Sequence, residues 1–153
     1  ASYFEFSYDY SKIQQTAEIV IEATFSLDSK EEGAKIWEKA MEDVKRRNSE
    51  QPVGVACSGC IFRNISGEDA KRLATPNLTT STGYIIEALG LKGTKVGGAQ
   101  VSEKHANYIL NVENATAVDV VALINMIKNK AKDTYGLTLK EEIFYVGDFK
   151  MAN

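Results

Sequence analysis

Two cysteines, Cys57 and Cys60, stand in a Cys-Ser-Gly-Cys turn and are the only cysteines in the chain. That spacing serves thiol–disulfide chemistry when the second cysteine opens a helix, where the helix dipole stabilises thiolate. Here Ile61 and Phe62 follow, and they read as a strand. A structural zinc site needs four ligands, and with a single histidine, His105, a carboxylate at no fixed spacing would have to complete it. Two free thiols is the simpler reading, and the favoured one for Cys57. The paired acids Glu141 and Glu142 offer general acid–base chemistry, but neighbours on a strand point to opposite faces, so only one can address a given site. Taken alone, these acids read as an exposed pair beginning an edge strand, and His105 as a satisfied surface or core group. Gly97-Gly98 lacks the strand–loop–helix setting of a pyrophosphate loop and equally permits a tight strand entry.

The elements that must position these groups are partly legible. From Ala17 to Leu27 the sequence alternates, with Ile19, Ile21, Ala23, Phe25 and Leu27 on one face, which predicts a half-buried strand. Ser29 with Glu32 makes a capping-box pattern, and Ala34, Trp37, Met41 and Val44 mark one face of a helix over Lys30–Arg47. The polar stretch Asn48–Gln51 before Pro52 is a boundary signal, since proline forces its predecessor out of helical geometry. Beyond it, Val53–Ala56 and Ile61–Arg63 read as short strands, Glu68–Leu73 as a short helix, and Ala74–Gly83 as a Thr-rich loop. Gly83–Leu89 reads as a helix with Gly90 at a left-handed cap. Val96–Val101 and Tyr108–Val112 are strand-like. Thr116, with Asp119 in its first turn, opens a second strong helix that ends at Tyr135-Gly136, and Glu142–Val146 reads as a final strand. With no internal repeat, the expected class is α+β with mixed or antiparallel sheets and two main helices.

Composition narrows the function classes. The chain has 153 residues, 44% hydrophobic and 25% charged, which is an ordinary globular composition. A net charge of −3 gives no general attraction to nucleic acid or anionic membranes. Its one dense basic cluster, Lys45-Arg46-Arg47, closes a predicted helix, where cations offset the helix dipole. No apolar run is long enough to cross a bilayer, and Ala1–Tyr10 has no signal-peptide pattern, so the expected place is the cytoplasm, without nucleic-acid or membrane partners.

Three stretches carry a resemblance: SGCIFRN at Ser58–Asn64, GGAQVSEKHANYILN at Gly97–Asn111, and LKEEIFYVG at Leu139–Gly147. Together they are similar to the substrate-domain signature of the UDP-N-acetylenolpyruvoylglucosamine reductases, flavoenzymes of peptidoglycan precursor synthesis. The resemblance implies the fold of that substrate domain. It implies an FAD- and NADPH-dependent reduction of UDP-N-acetylglucosamine enolpyruvate, in which Cys60 matches the general acid that protonates C2 and Glu142 the catalytic carboxylate, with Glu141 left in solvent. It further implies that Asn64, Arg63, His105 and Tyr8 line the substrate pocket, with Arg63, Lys104 and backbone donors near Gly97-Gly98 as phosphate neighbours. On that resemblance residues 1–49 are the tail of a flavin-binding region, 50–137 the substrate-binding domain, and 138–153 a strand returning to the rest of the enzyme. The flavin-binding half would then be a missing partner, the chain alone would hold no cofactor and turn nothing over, and its open edges would favour self-association.

One departure bears on activity. The family carries Tyr-Arg-x-Ser where this chain has Tyr8-Asp9-Tyr10-Ser11. Exchanging a cation for an anion beside a substrate carboxylate turns attraction into repulsion, each about 4 kcal/mol at ~4 Å in an effective dielectric of about 20. Losing one such interaction costs about three decades in rate. Asp9 therefore favours a non-catalytic sugar-nucleotide binding or regulatory domain, whereas Cys60 with Glu142 favours the enzyme.

Overall fold

The structure is a computed structural model that describes residues 2–8, 10–16, 18–28 and 32–147. The chain divides into two compact units, Ala1–Ala40 and Met41–Asn153. In the first, short 3-10 turns at Ser2–Phe4 and Lys12–Gln15 flank a single bridge between Ser7 and Tyr10. The strand expected over Ala17–Leu27 does not form: residues 18–28 carry no regular element, and Ile19, Ile21, Phe25 and Leu27 are 84%, 96%, 80% and 90% exposed. Alternation supplies an apolar face, but a strand exists only where its N–H and C=O groups meet a neighbour, and no ladder reaches this segment among the described residues.

Helix α1 (Gly33–Glu50) follows at close to its expected place; Ser29, the expected cap, lies outside the described residues. Its apolar stripe is present but uncovered, since none of its side chains is buried and Trp37 is 69% exposed.

The second unit is built on a four-stranded antiparallel sheet. Its strands are β1 (Cys57–Cys60), β2 (Lys95–Val96), β3 (Ala99–Val101) and β4 (Tyr108–Asn111), in the spatial order β1-β4-β3-β2. Short helices α2 (Gly67–Arg72) and α3 (Thr82–Ala88) fill the crossover, and α4 (Ala117–Tyr135) packs against β2, β3 and α3. Each of these helices has a side-chain N-cap: Ser66 accepts from the amide of Asp69, Ser81 from that of Tyr84, and Thr116 from that of Asp119 in a full capping box. Helix α4 stops at Gly136, whose left-handed conformation closes its last turn. The core between sheet and helices holds Ile61, Phe62, Ile86, Val101, Leu123, Ile124 and Ile127, all at most 1% exposed, each side chain contributing about 1.5–3 kcal/mol. The α+β class with two main helices is what the sequence predicts. No helix among the described residues is long and apolar enough to cross a membrane.

Three strand expectations need correction. Val53–Ala56 is not a strand; pairing begins one residue later, at Cys57, and Val53 and Val55 remain exposed. Val96–Val101 is two strands, because the chain reverses at Gly97-Gly98 and pairs Val96 with Ala99 as a hairpin. Ile61–Arg63 forms only one bridge, Phe62 with Glu141, secured by Arg63 N–H to Lys140 C=O at 2.9 Å and Glu142 N–H to Ile61 C=O at 2.8 Å, and Glu142–Val146 is not a strand. Pairing ends there because the partner segment turns away, with Ile65 N–H bonding to Thr80 C=O instead. Phe144 and Val146 are left exposed.

Candidate active site

The site begins with an irregularity in β1. Cys57 stands opposite Leu110 and Cys60 opposite Tyr108, so three steps along β1 match two along β4, a β-bulge. Gly59 absorbs it at φ +84°, where a side chain would be strained. In a regular strand residues three apart face opposite ways. The bulge instead gives Cys57 and Cys60 the face shared by Tyr108 and Leu110, because directly paired residues point to the same side. Both thiols are free, Cys57 exposed and Cys60 half-buried.

Asn107 fixes the backbone that follows. Its side chain is 3% exposed; Oδ1 accepts from Phe62 N–H at 3.0 Å and Nδ2 donates to Phe62 C=O at 2.8 Å, while its own carbonyl accepts from Ile61 N–H. The bridge from Phe62 to Glu141 then brings the acidic pair to the end of β1. The two acids part company. Glu141 is the more buried, ion-paired to Lys128 at 2.8 Å and accepting from the Tyr145 hydroxyl at 3.2 Å, which corrects the expectation that it is the solvated one. Glu142 is exposed and close enough to Cys60 for its charge to act on the thiol.

Burial pushes the Cys60 thiol up from its ordinary range, and the Glu142 carboxylate adds to the rise; hydrogen bonds from Tyr108 and Asn107 oppose it without cancelling it. Cys60 is therefore a neutral thiol at neutral pH, able to give a proton and poorly suited to act as a resting thiolate. Tyr108 is raised too, by burial and then by Cys60. Its ring meets that of His105 edge to face at 4.9 Å, and His105 Nδ1 accepts from Asn107 N–H at 3.3 Å.

The remaining expected site residues divide by unit. Arg63 is half-buried and Asn64 exposed; the carbonyl of Arg63 accepts from the Thr82 hydroxyl at 2.6 Å, tying this stretch to the start of α3. His105 and Lys104 line a hollow of about 320 Å³ with Ser81, Tyr84 and Glu87, and Lys104 Nζ bonds to the Asn48 carbonyl. Tyr8 belongs to the first unit, where it is 66% exposed, and Asp9 lies outside the described residues. A second hollow, of about 540 Å³, runs between β1, α4 and residues 143–146; Cys57 lines it, and Cys60 and Glu142 do not.

The Gly97-Gly98 turn is not a phosphate cradle. The Asp119 carboxylate would lie within 2.6 Å of a Cβ on Gly97, the Gly98 carbonyl accepts from Val112 and Glu113 N–H, and a Cβ on Gly98 would come within 2.2 Å of the Glu113 carbonyl. These glycines serve hairpin closure against the start of α4, and the nearby carboxylate opposes a phosphate. Asn107 and Tyr108 are the functional residues that reading the sequence missed. Their signal was present in the order of the segment: a polar residue directly before a strand that pairs with the Cys-Ser-Gly-Cys turn.

This small α+β module, with a half-buried thiol on its bulged edge strand, is the C-terminal domain of a reductase. The chain belongs to the UDP-N-acetylenolpyruvoylglucosamine reductase family. The family described as "UDP-N-acetylenolpyruvoylglucosamine reductase, C-terminal domain" matches residues 51–146. The reductase of Synechococcus sp. (strain WH7803) is 36% identical over 142 residues, 93% of this chain and 42% of that protein. That of Syntrophomonas wolfei is 39% identical over 141 residues, 92% of this chain and 43% of that one. The crystal structure of the Thermus caldophilus enzyme aligns with a TM-score of 0.53 at 31% identity, covering 74% of this chain and 35% of that one. The chain thus spans less than half the length of the curated relatives it matches.

Proposed function

We propose that this chain is the proton-donating and substrate-holding part of a cytoplasmic reductase that converts UDP-N-acetylglucosamine enolpyruvate to UDP-N-acetylmuramate, with FAD and NADPH in the complete enzyme. The observation that carries the reading is the half-buried Cys60 thiol on the bulged strand, opposite Tyr108, with burial and the Glu142 charge holding its proton more firmly. The Gly97-Gly98 turn does not suit a flavin pyrophosphate, since the Asp119 carboxylate lies against it. In this reading the hydride at C3 comes from the flavin-binding rest of the enzyme, and the chain alone is expected to bind no flavin and to turn nothing over.

Saturating an enol ether leaves its C2 in need of a proton, and a positioned acid near neutral pH supplies one. Cys60 gives its proton to C2 and is left as a thiolate, which the Tyr108 hydroxyl and Asn107 amide stabilise by hydrogen bonds. Before the transfer Glu142 does the opposite, its negative charge keeping the proton on sulfur. Asn64, Arg63 and His105 are assigned to the substrate; His105 lines its hollow with Ser81, Glu87 and Lys104, side chains able to hydrogen-bond a sugar nucleotide. Self-association of the chain by itself belongs to the same reading, supported by the uncovered Ile21, Phe25, Leu27 and Trp37.

The test is turnover in a complete reductase carrying this chain. Cys60→Ala is expected to lower kcat about 10²–10⁴-fold with little change in substrate affinity, and Cys60→Ser to retain most of it. Full turnover by Cys60→Ala, or flavin bound to the purified 153-residue chain, overturns the proposal. Asp9, in place of the family's arginine, favours a second reading as a non-catalytic sugar-nucleotide binding domain. That reading predicts binding without turnover, with activity appearing in Asp9→Arg.

A further inference from the structure

We infer that Cys57 and Cys60 form a reversible intramolecular disulfide that withdraws the Cys60 proton, making the bulged strand a thiol-redox switch. The inference rests on the reading of Cys60 as proton donor for its consequence, though not for the bond itself. Its basis is the register of β1. Cys57 opposes Leu110 and Cys60 opposes Tyr108, so the two cysteines share a face and are separated by the rise of two partner residues. That rise is about 6.8 Å at about 3.4 Å per residue of an antiparallel strand, at the upper limit of the roughly 4.4–6.8 Å between Cα atoms that a disulfide spans. Without the bulge the cysteines would face apart and stand about 10 Å from each other. Gly59, at φ +84°, is the joint that allows the remaining approach.

The pair is asymmetric in the way a switch needs. Cys57 is exposed and open to a small oxidant, whereas Cys60 is half-buried. With hydrogen peroxide as oxidant, the Cys57 sulfur attacks one peroxide oxygen; an S–O bond forms, the O–O bond breaks, and the first water leaves, giving a sulfenic acid. Cys60 then attacks the Cys57 sulfur; the S–S bond forms, the S–O bond breaks, and the departing hydroxide takes the Cys60 proton as the second water. Two thiols are oxidised by two electrons and one peroxide is reduced to two waters. A dithiol reductant reverses the bond by exchange.

The test uses the chain as it stands. After hydrogen peroxide treatment, unfolding and alkylation with iodoacetamide, the tryptic peptide spanning residues 48–63 is expected to be lighter by two hydrogens and to carry no alkyl group. Dithiothreitol should restore two alkylated cysteines, and Cys57→Ser should leave Cys60 fully alkylated after the same treatment. A peptide alkylated at both positions, a sulfinic acid at Cys57 with Cys60 alkylated, or a covalent dimer in place of the internal bond each overturns the inference. In a complete reductase carrying the chain, peroxide should abolish turnover reversibly in the parent and leave Cys57→Ser active. Turnover that survives a demonstrated internal bond overturns the switch. Full turnover by unoxidised Cys60→Ala refutes the proton-donor reading instead and leaves the bond standing on its mass.

Discussion

Asn107→Ala removes both side-chain bonds to the backbone of Phe62, the N–H bond at 3.0 Å and the C=O bond at 2.8 Å. Phe62 is 1% exposed, so water does not replace either bond. A buried polar group left unpaired costs about 1–3 kcal/mol, and two of them set an expected loss of about 3 kcal/mol, a large share of a typical domain stability of about 5–15 kcal/mol. At about 4 °C per kcal/mol, the value between those for domains of about 100 and about 150 residues, the melting temperature should fall by about 12 °C. Urea unfolding followed by circular dichroism measures the loss directly, with an unchanged m-value showing that the unfolded state is not the cause. Asn111→Ala is the internal control. It removes a similar bond, to Ala115 N–H at 2.8 Å, from an exposed site, and should cost about 1 kcal/mol or less. If the two variants lose the same stability, or Asn107→Ala loses under about 0.5 kcal/mol, the idea that this amide holds the backbone behind Cys60 fails.

Three further outcomes follow from the same geometry. Because the Cys60 thiol is raised on folding, its contribution to stability is complete below the ordinary thiol value of about 8.5 and is lost as pH rises through the higher folded value; melting temperatures across that range should fall less for Cys60→Ser than for the parent. Burial pushes Glu141 up, but bonds from Lys128, its own backbone and Tyr145 outweigh it and leave the carboxyl lowered, so its contribution holds above the usual carboxylate range and is lost as pH falls through the depressed value. Glu141→Gln should cost about 1 kcal/mol at neutral pH and flatten the acid limb of the melting curve, and an unchanged acid limb would sink the assignment. Gly98→Ala puts a Cβ within 2.2 Å of the Glu113 carbonyl and 2.5 Å of the Ala115 nitrogen; as both are backbone, the expected cost is about 2–3 kcal/mol, and a chemical melt within 0.5 kcal/mol of the parent, on the order of measurement error, would contradict that contact.

How far the fold was legible depended on whether an element carries its own hydrogen bonds. Helix α4 announced itself through Thr116, Asp119 and the Gly136 stop, all local signals that the structure uses as caps. Strands depend on partners, and there the reading held for Tyr108–Asn111 but failed elsewhere. Ile19 to Leu27 has the right alternation and no ladder, and Gly97-Gly98 turned one expected strand into a hairpin. The site was legible as residue types, Cys60 beside Ile61-Phe62 and the Glu141-Glu142 pair, because chemistry resides in side chains. Its geometry was not, since the bulge at Gly59 and the Asn107 clamp arise only when β4 lies alongside β1.

The bridge between Phe62 and Glu141 joins the first strand of the sheet to a segment that follows the last helix. During synthesis on the ribosome, Cys60 emerges long before its acidic neighbour, and closing so long a loop is slow compared with helix formation. Until residues 140–142 arrive, the thiol lacks the carboxylate, and the backbone after it lacks the bonds at Ile61 and Arg63. A nascent or truncated product would have Cys60 held by β4 alone, more open to thiol reagents than in the finished domain.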